Sequence, residues 1–393
     1  MCSIDYCSPA FLERLLETTL PGPVRVHQVA PFALDNSASI LAVLTAGHSG
    51  RVVGHYGLQV TYSTGSGPPR TEKLVLKLKP PGSEICQMLA SLAQACGGEL
   101  AQVYPAFSAH TGFAHTHHRE LAVYAHPRPG LMPTIRGRWA DDEQGVYAVL
   151  MEYLAPTTVE LLNSVLTPES WTPAHLQAAL RDLAAWHADH LLPAGTTPPW
   201  PERMLALADQ QRLGHALLDN AARHHPMLYP PARVRQLQAA LRHLPEYRSE
   251  LAAAPRTLVH NDLNPRNTCF RRTAAGLHLC AYDWELARYH VPVYDVVELL
   301  CFVLDTGRYG QRLAYLEYYR QQLHARTGQF ADARSFRRLA RLAAFDFGLH
   351  RLGMYLMAHT VSPYPFLPHV VHSFFDTLDQ LQPAPAVAAV AGR

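Results

Sequence analysis

His260-Asn261-Asp262-Leu263-Asn264-Pro265-Arg266-Asn267, followed sixteen residues later by Asp283 in Tyr282-Asp283-Trp284-Glu285, is the stretch on which the reading of this 393-residue chain turns. Apolar, β-prone residues flank it, LVH before and TCF after. A turn at Ala274–Gly276 and the run LHLCAYDW then complete a hairpin pattern. The hairpin would bring two carboxylates and an amide together. The chain has only six asparagines, and three of them fall within 261–267. It also has 31 arginines against three lysines, Lys73, Lys77 and Lys79, all in one short run. A coding bias that replaces Lys with Arg spares positions where a planar guanidinium cannot stand in for a compact ammonium. That run therefore joins the hairpin as a second pointer.

KLVLKLK (73–79) alternates cleanly, with Lys73, Val75, Lys77 and Lys79 on one face and Leu74, Leu76 and Leu78 on the other. Around it, residues 38–46 and 52–62 read as strands, 83–96 and 113–126 as helices, and GVYAVLMEYL (145–154) as an apolar strand. Beyond Pro156 the pattern turns helical. Thr172 and Pro173 give an N-cap and first-turn proline for a helix to about residue 190. The run 193–202 reads as a loop. Helices are expected near 203–224 and 231–247, then after the hairpin over 292–304, 309–325, 333–358 and 366–381. The fold class implied is α+β, with a β-rich lobe over 20–154, a mostly helical lobe over 155–381, and a frayed, disordered tail from 382 to 393.

Composition narrows the function. A hydrophobic content of 48% supports a buried core. No apolar run reaches the ~18 residues of a membrane span, and the first twenty residues lack a signal-peptide pattern. Seven cysteines with no CxxC pair point to a reduced cytoplasm and not to a disulfide or zinc framework. A net charge of +2 argues against a nucleic-acid binder.

The 260–267 segment resembles the kinase catalytic loop, H-x-D-x-x-x-x-N, with the second metal-binding Asp across the hairpin. With Asp283-Trp284-Glu285 in place of D-F-G, Arg119-Glu120-x-x-x-Tyr124, Trp186-His187-Ala188 and Asp295 in VYDVVELL, the chain resembles the aminoglycoside phosphotransferase and choline kinase family. That family is the small-molecule branch of the two-lobed protein-kinase-like fold. The resemblance implies ATP and Mg²⁺ as cofactors and transfer of a phosphoryl group to a hydroxyl. Asp262 would be the catalytic base, Asn267 and Asp283 the magnesium ligands, and His260 and Asp295 supports of the loop. Lys77 would hold the nucleotide phosphates, with Lys79 the close alternative. Glu120 would fix that lysine, with Glu84 and Glu99 as other choices. Glu152 to Leu154 would form the hinge against the adenine edge. No G-x-G-x-x-G is present; Asn36, Ser37 and Ser39 are offered as phosphate donors in its place. The histidines at 115, 117 and 118 do not share a helix face and are not read as a metal site.

Asn261 stands where many protein kinases carry Arg, and no A-P-E follows Asp283, so activation-loop phosphorylation is not expected. Arg266 could reach a phosphate or an acidic substrate group, or cap the loop; Glu285 could assist metal or substrate. Nine arginines and no lysine against six acidic residues over 301–380 disfavour a polycationic aminoglycoside as acceptor. The acceptor expected is a neutral or anionic small molecule, or alternatively Ser/Thr of a small peptide. Two alternatives remain: a non-catalytic nucleotide-binding module, although Asp262, Asn267 and Asp283 are all present, and a metal-dependent hydrolase built on His260, Asp262 and Asp283, which leaves the strand lysine and the hinge-like strand unexplained. Oligomeric state is not legible.

Overall fold

The structure is a computed structural model describing residues 5–34, 52–200 and 205–382. Helix α1 (Pro9–Glu17) precedes a five-stranded antiparallel sheet of β1 (Val24–Phe32), β2 (Gly54–Thr64), β3 (Arg70–Lys79), β4 (Ile135–Asp141) and β5 (Val146–Glu152). The spatial order is β1-β2-β3-β5-β4, which puts the lysine strand at the centre. The alternation of β3 divides the sheet's two faces. Leu74, Leu76 and Leu78 are buried with Leu58, Val60 and Tyr62 under Phe11, Leu12, Leu15 and Leu16 of α1. Each such side chain contributes roughly 1.5–3 kcal/mol by leaving water. Lys77 and Lys79 occupy the opposite face. There α4 (Thr116–Val123) is packed, and His55 of β2 stands opposite Lys77 in the register.

Between β3 and α4 the chain forms α2 (Gly82–Cys96) and α3 (Gly98–Phe107). Gly82 opens α2 against the backbone of residues 113–114; a Cβ there would lie 2.2 Å from the Ala114 carbonyl oxygen. The remainder is helical: α5 (Pro173–Asp189), α6 (Leu207–His224), α7 (Pro231–Arg242), α8 (Leu244–Ala253), α9 (Val293–Val303), α10 (Arg312–Thr327), α11 (Ala333–Asp346), α12 (Leu352–Val361) and α13 (Leu367–Gln380). Every residue of α9 is buried. Ile85, Leu89 and Ala93 of α2 pack with Leu213 and Leu217 of α6 and Met354 and Met357 of α12, so α2 ties the sheet-rich part to the helices. Set into the helical part are the sheet β6 (Val159–Glu160), β8 (Thr268–Thr273) and β9 (Gly276–Ala281), and the pair β7 (Thr257–Val259) with β10 (Arg288–His290). Among the described residues no helix is long and apolar enough to cross a membrane.

The expected hairpin, the lysine strand and most helices are present, with several corrections. Helices α1 and α3 and strands β1 and β4 were not anticipated, and ordered structure begins before residue 20. β1 alternates only at Val24 and Val26 and carries Pro31, which an edge strand tolerates. The expected helix over 231–247 is two, divided at His243 because Pro245 fits only a new first turn. The expected helix over 333–358 is interrupted by a wide π turn at Phe347–Arg351. The strand expected at 38–46 and the tail from 383 to 393 lie outside the described residues.

β10 is pinned to α11 by a half-buried ion pair. Arg288 Nη2 lies 2.5 Å from Asp346 Oδ2, with His290 Nε2 at 3.4 Å. Burial alone would raise the Asp346 carboxyl, but Arg288 and the histidine hold it far below the usual carboxylate range. A depressed folded value means stability is fully present above the unfolded pKa of about 3.9 and is lost as pH falls below it. Asp346→Asn is expected to destabilise by about 2–4 kcal/mol at neutral pH by stranding the arginine. It should also flatten the acid limb of the stability curve. Denaturant titrations at pH 7 and pH 3 check both effects, and equal losses at the two values would exclude this role.

Candidate active site

The loop after β7 is held by carboxylates from α9. Asp295, in the first turn of α9 where a negative charge is favoured, accepts from the backbone N–H of His260 at 2.8 Å and of Asn261 at 2.9 Å. Its Oδ2 also meets His187 Nε2 at 3.1 Å. Burial pushes this carboxyl up, and the His187 hydrogen bond with the loop N–H groups reverses the direction, so Asp295 stays ionised. His260 Nε2 bonds the Tyr282 carbonyl at 2.9 Å, joining the loop to the far strand of the hairpin. One turn further along α9, Glu298 accepts from Leu263 N–H at 3.0 Å. Its burial, reinforced by Asp262, drives its pKa well upward and favours the protonated acid.

These constraints present Asp262. Its Oδ2 accepts from Asn267 Nδ2 at 3.0 Å, while Oδ1 accepts from Asn264 Nδ2 at 3.1 Å and Tyr355 Oη at 2.7 Å. Arg351 Nη2 lies 2.5 Å from the same Oδ1. Asn264 also caps the short turn over 265–267 by accepting from Arg266 N–H at 3.1 Å. Arg266 is tied to Asn264 Oδ1 through Nε at 3.3 Å and stands over the Phe366 ring at 5.1 Å.

Across the cleft, Lys77 Nζ bridges Glu120 Oε1 at 2.8 Å and Asp283 Oδ1 at 2.5 Å. Lys79 Nζ bridges the other oxygen of Glu120 at 2.5 Å and Glu285 Oε2 at 2.7 Å. Three carboxylates thus face two ammonium groups. Burial works against the Lys77 charge, and Asp283 and Glu120 outweigh it, holding the ammonium well above its ordinary pKa. The same contact depresses Asp283 against its burial. Glu285 follows its burial and is pushed up to about 7. His55, buried beside Lys77, is pushed down to about 4 and stays neutral. Asn261 and Asp283 both adopt left-handed backbone, with φ of 61° and 66°. For residues with a Cβ this conformation stores strain of order 1 kcal/mol or more. The hydrogen bonds of Asn261 to Asp295 and Leu286, and of the Asp283 N–H to Tyr124 Oη at 3.1 Å, hold it in place.

Glu120 is the helix carboxylate that meets the lysines; Glu99 is exposed at the start of α3. Of the two lysines, Lys77 lines the main cleft and Lys79 lies behind it. His117 accepts from Gly82 N–H at 2.9 Å, a structural bond and not a metal site. Glu120, Asp283 and Glu285 bring three carboxylate oxygens within 4.8 Å of one another, but the two lysines already sit among them. Magnesium prefers hard oxygen donors. Asn267 gives its amide N–H groups to Asp262, which leaves the amide oxygen as its donor atom for a cation, and Asp283 supplies a carboxylate in the same cleft. The donor chemistry fits the ion.

The cleft encloses about 500 Å³. Val75, Met151 and Leu154 line it, together with Asp262, Asn267 and Asp283. At the hinge, the Glu152 N–H donates to the Thr134 carbonyl at 2.9 Å, and its carboxylate holds Thr134 and Arg271. Those contacts hold the hinge itself, so Leu154 is the better placed of the two expected hinge residues to face a nucleotide. Ser37, with Asn36 and Ser39, lies outside the described residues. Arg351 and Tyr355 were not singled out from the sequence. The available signal was an arginine and a tyrosine four residues apart, on one face of an otherwise apolar helix.

A family model described as "Phosphotransferase enzyme family" matches residues 61–340, which include Lys77, Glu120, Asp262, Asn267, Asp283 and Asp295 and stop short of Arg351. No curated protein matches the sequence. Solved structures similar to this chain include an ethanolamine kinase of Plasmodium vivax, with a TM-score of 0.44 at 9% identity, covering 90% of this chain and 81% of that one. An aminoglycoside phosphotransferase of Streptomyces rimosus is similar with a TM-score of 0.40 at 13% identity, covering 82% and 99%. A microcompartment-associated aminopropanol kinase is similar with a TM-score of 0.36 at 15% identity, covering 87% and 98%. Likenesses this distant carry no argument about the acceptor. The family match spans well over half of the chain and takes in the lysine strand, β4 and β5 of the sheet and the loop just described. The chain therefore belongs to the phosphotransferase enzyme family.

Proposed function

We propose that the enzyme transfers the γ-phosphoryl group of ATP, bound as its magnesium complex, to a hydroxyl of a small molecule. The observation that carries this is that Lys77 with Glu120 and Asp283, and Asp262 with Asn267, line one cleft. Asp262 Oδ2, engaged by Asn267, has acceptor capacity left to orient the substrate hydroxyl and take its proton. The hydroxyl oxygen bonds to the γ-phosphorus as the bond from that phosphorus to the β-γ bridging oxygen breaks, and ADP leaves. Lys77 offsets the charge on the phosphates, positioned by Glu120 so that no reorganisation is needed at the moment of transfer. Asn267 and Asp283 would hold magnesium, which supplies charge neutralisation along the phosphate chain. Closure of one side of the cleft by α2 favours a small acceptor over an extended peptide.

An ATP-consumption screen over hydroxylated metabolites and short Ser/Thr peptides, with mass detection of an added phosphate, tests this reading. The expected result is a phosphorylated small molecule and loss of turnover when EDTA removes divalent metal. Phosphorylated peptides alone would move the acceptor class, and failure to bind ATP with magnesium would reject the reading.

A further inference from the structure

The acceptor end of the cleft has a chemistry of its own. It is walled by Met88, Leu89 and Leu92 of α2, by Phe113, and by Met354 and Tyr364, with Arg266 and Arg351 flanking Asp262. Among the described residues that line the cleft, five are acidic, and each already holds a cation of the protein. Glu120 holds Lys77 and Lys79, Asp283 holds Lys77, Glu285 holds Lys79, Glu152 holds Arg271, and Asp262 holds Arg351. No carboxylate at that end is left over for a substrate ammonium, and two guanidinium groups would repel one. Arg351 is only 8% exposed, and its Nε–H is buried without a hydrogen-bond partner. Burial works against its charge, and Asp262 keeps it fully protonated.

From this, and resting on the kinase reading above, we infer that the acceptor is a hydroxylated compound with a substantial apolar body that is uncharged or bears an acidic group, and that polyamines are excluded. The wall from α2 gives the apolar body its contact surface. Arg351 serves the acidic group or another electron-rich oxygen beside the reacting hydroxyl. Arg266, stacked on Phe366, adds a second positive charge to the same rim.

The test separates this inference from the reading beneath it. Displacement of a fluorescent ATP analogue with magnesium is measured first; absence of binding there rejects the kinase reading itself. With binding established, three sets of hydroxyethyl-substituted aromatic and alicyclic compounds are offered with ATP. The sets are matched in size and bear a carboxylate, no charge, or an aminomethyl group, with streptomycin as a polycation. Phosphorylated products are expected from the carboxylate or uncharged sets, with kcat/KM at least about tenfold above the aminomethyl set. Equal or better turnover of the amines or streptomycin would overturn the inference, and so would the absence of product from both other sets. Leu92→Asp, at a half-buried wall position, should lower kcat/KM for the best acidic acceptor by about tenfold with KM for ATP unchanged. An unaltered kcat/KM in that variant would remove α2 from the acceptor site and overturn the inference as well.

Discussion

Replacing Asp262 with alanine is expected to reduce phosphoryl transfer by on the order of 10³-fold while ATP with magnesium still binds. On the proposed reading this carboxylate takes the proton from the hydroxyl, and it is held by donors on both oxygens: Asn264, Tyr355 and Arg351 on Oδ1, Asn267 on Oδ2. None of these contacts involves Lys77 or Glu120, so the nucleotide side keeps its geometry. The alanine variant also strands the buried Arg351 guanidinium, which is expected to lower stability by a few kcal/mol. Asp262→Asn separates the two effects. Its amide oxygen can still accept from Tyr355, but its NH₂ group meets the Asn267 amide and cannot serve as a base. If chemistry is the role, both variants lose turnover and Asn keeps more stability. Turnover in the asparagine variant close to wild type would reject the assignment, and a nucleotide Kd raised in parallel with the lost turnover would point to a structural role instead.

The loop was legible because its chemistry is local. Asp262, Asn267 and Asp283 fall on one hairpin, and the support from His260 and Asp295 follows from spacing within the same forty residues. The lysine strand was legible for a different reason: a period of two over seven residues states which side chains share a face. Arg351 and Tyr355 obey neither rule. Tyr355 and Asp262 are 93 residues apart and meet only because α12 packs against the loop. Arg351 ends a π turn that a helix-period pattern does not announce, and such turns recur at functional sites. The turn seats Gly348 against the Phe374 ring, where a Cβ would come within 2.1 Å. Segment charge was a blunt guide for a related reason. Of the arginines in 301–380 only Arg351 lines the cleft; Arg308, Arg312, Arg320 and Arg338 are held by Asp305, Asp376, Glu317 and Glu250. The acceptor end is set by which arginine packing brings inward, and a sum over the segment does not contain that information. The first strand and helix were missed because edge strands need little alternation and their partners lie far along the chain. Gly137 of β4, for instance, approaches the backbone of Leu15 in α1.

Lys77→Ala is expected to raise KM for ATP and to lower kcat/KM by about 10²-fold, whereas Lys79→Ala leaves KM for ATP within about threefold of wild type and lowers stability instead. The two side chains are equally buried and share Glu120, so sequence position and exposure do not separate them. Their second partners do. Lys77 reaches Asp283, on the cleft side, and removing its ammonium leaves Asp283 and Glu120 facing each other across the site where phosphates are to be held. Lys79, itself behind the cleft, reaches Glu285 and not Asp283. With Lys79 gone, Glu285 loses its ammonium partner. Its pKa, already pushed up to about 7 by burial, lets it take a proton and so limits the cost of the stranded charge. Glu120 keeps Lys77, so the Lys77 ammonium stays in position. Nucleotide titration and thermal unfolding of the two variants side by side decide the matter: weaker ATP binding in Lys79→Ala than in Lys77→Ala would transfer the phosphate-holding role to Lys79 and place the adenine end of the cleft further along β3.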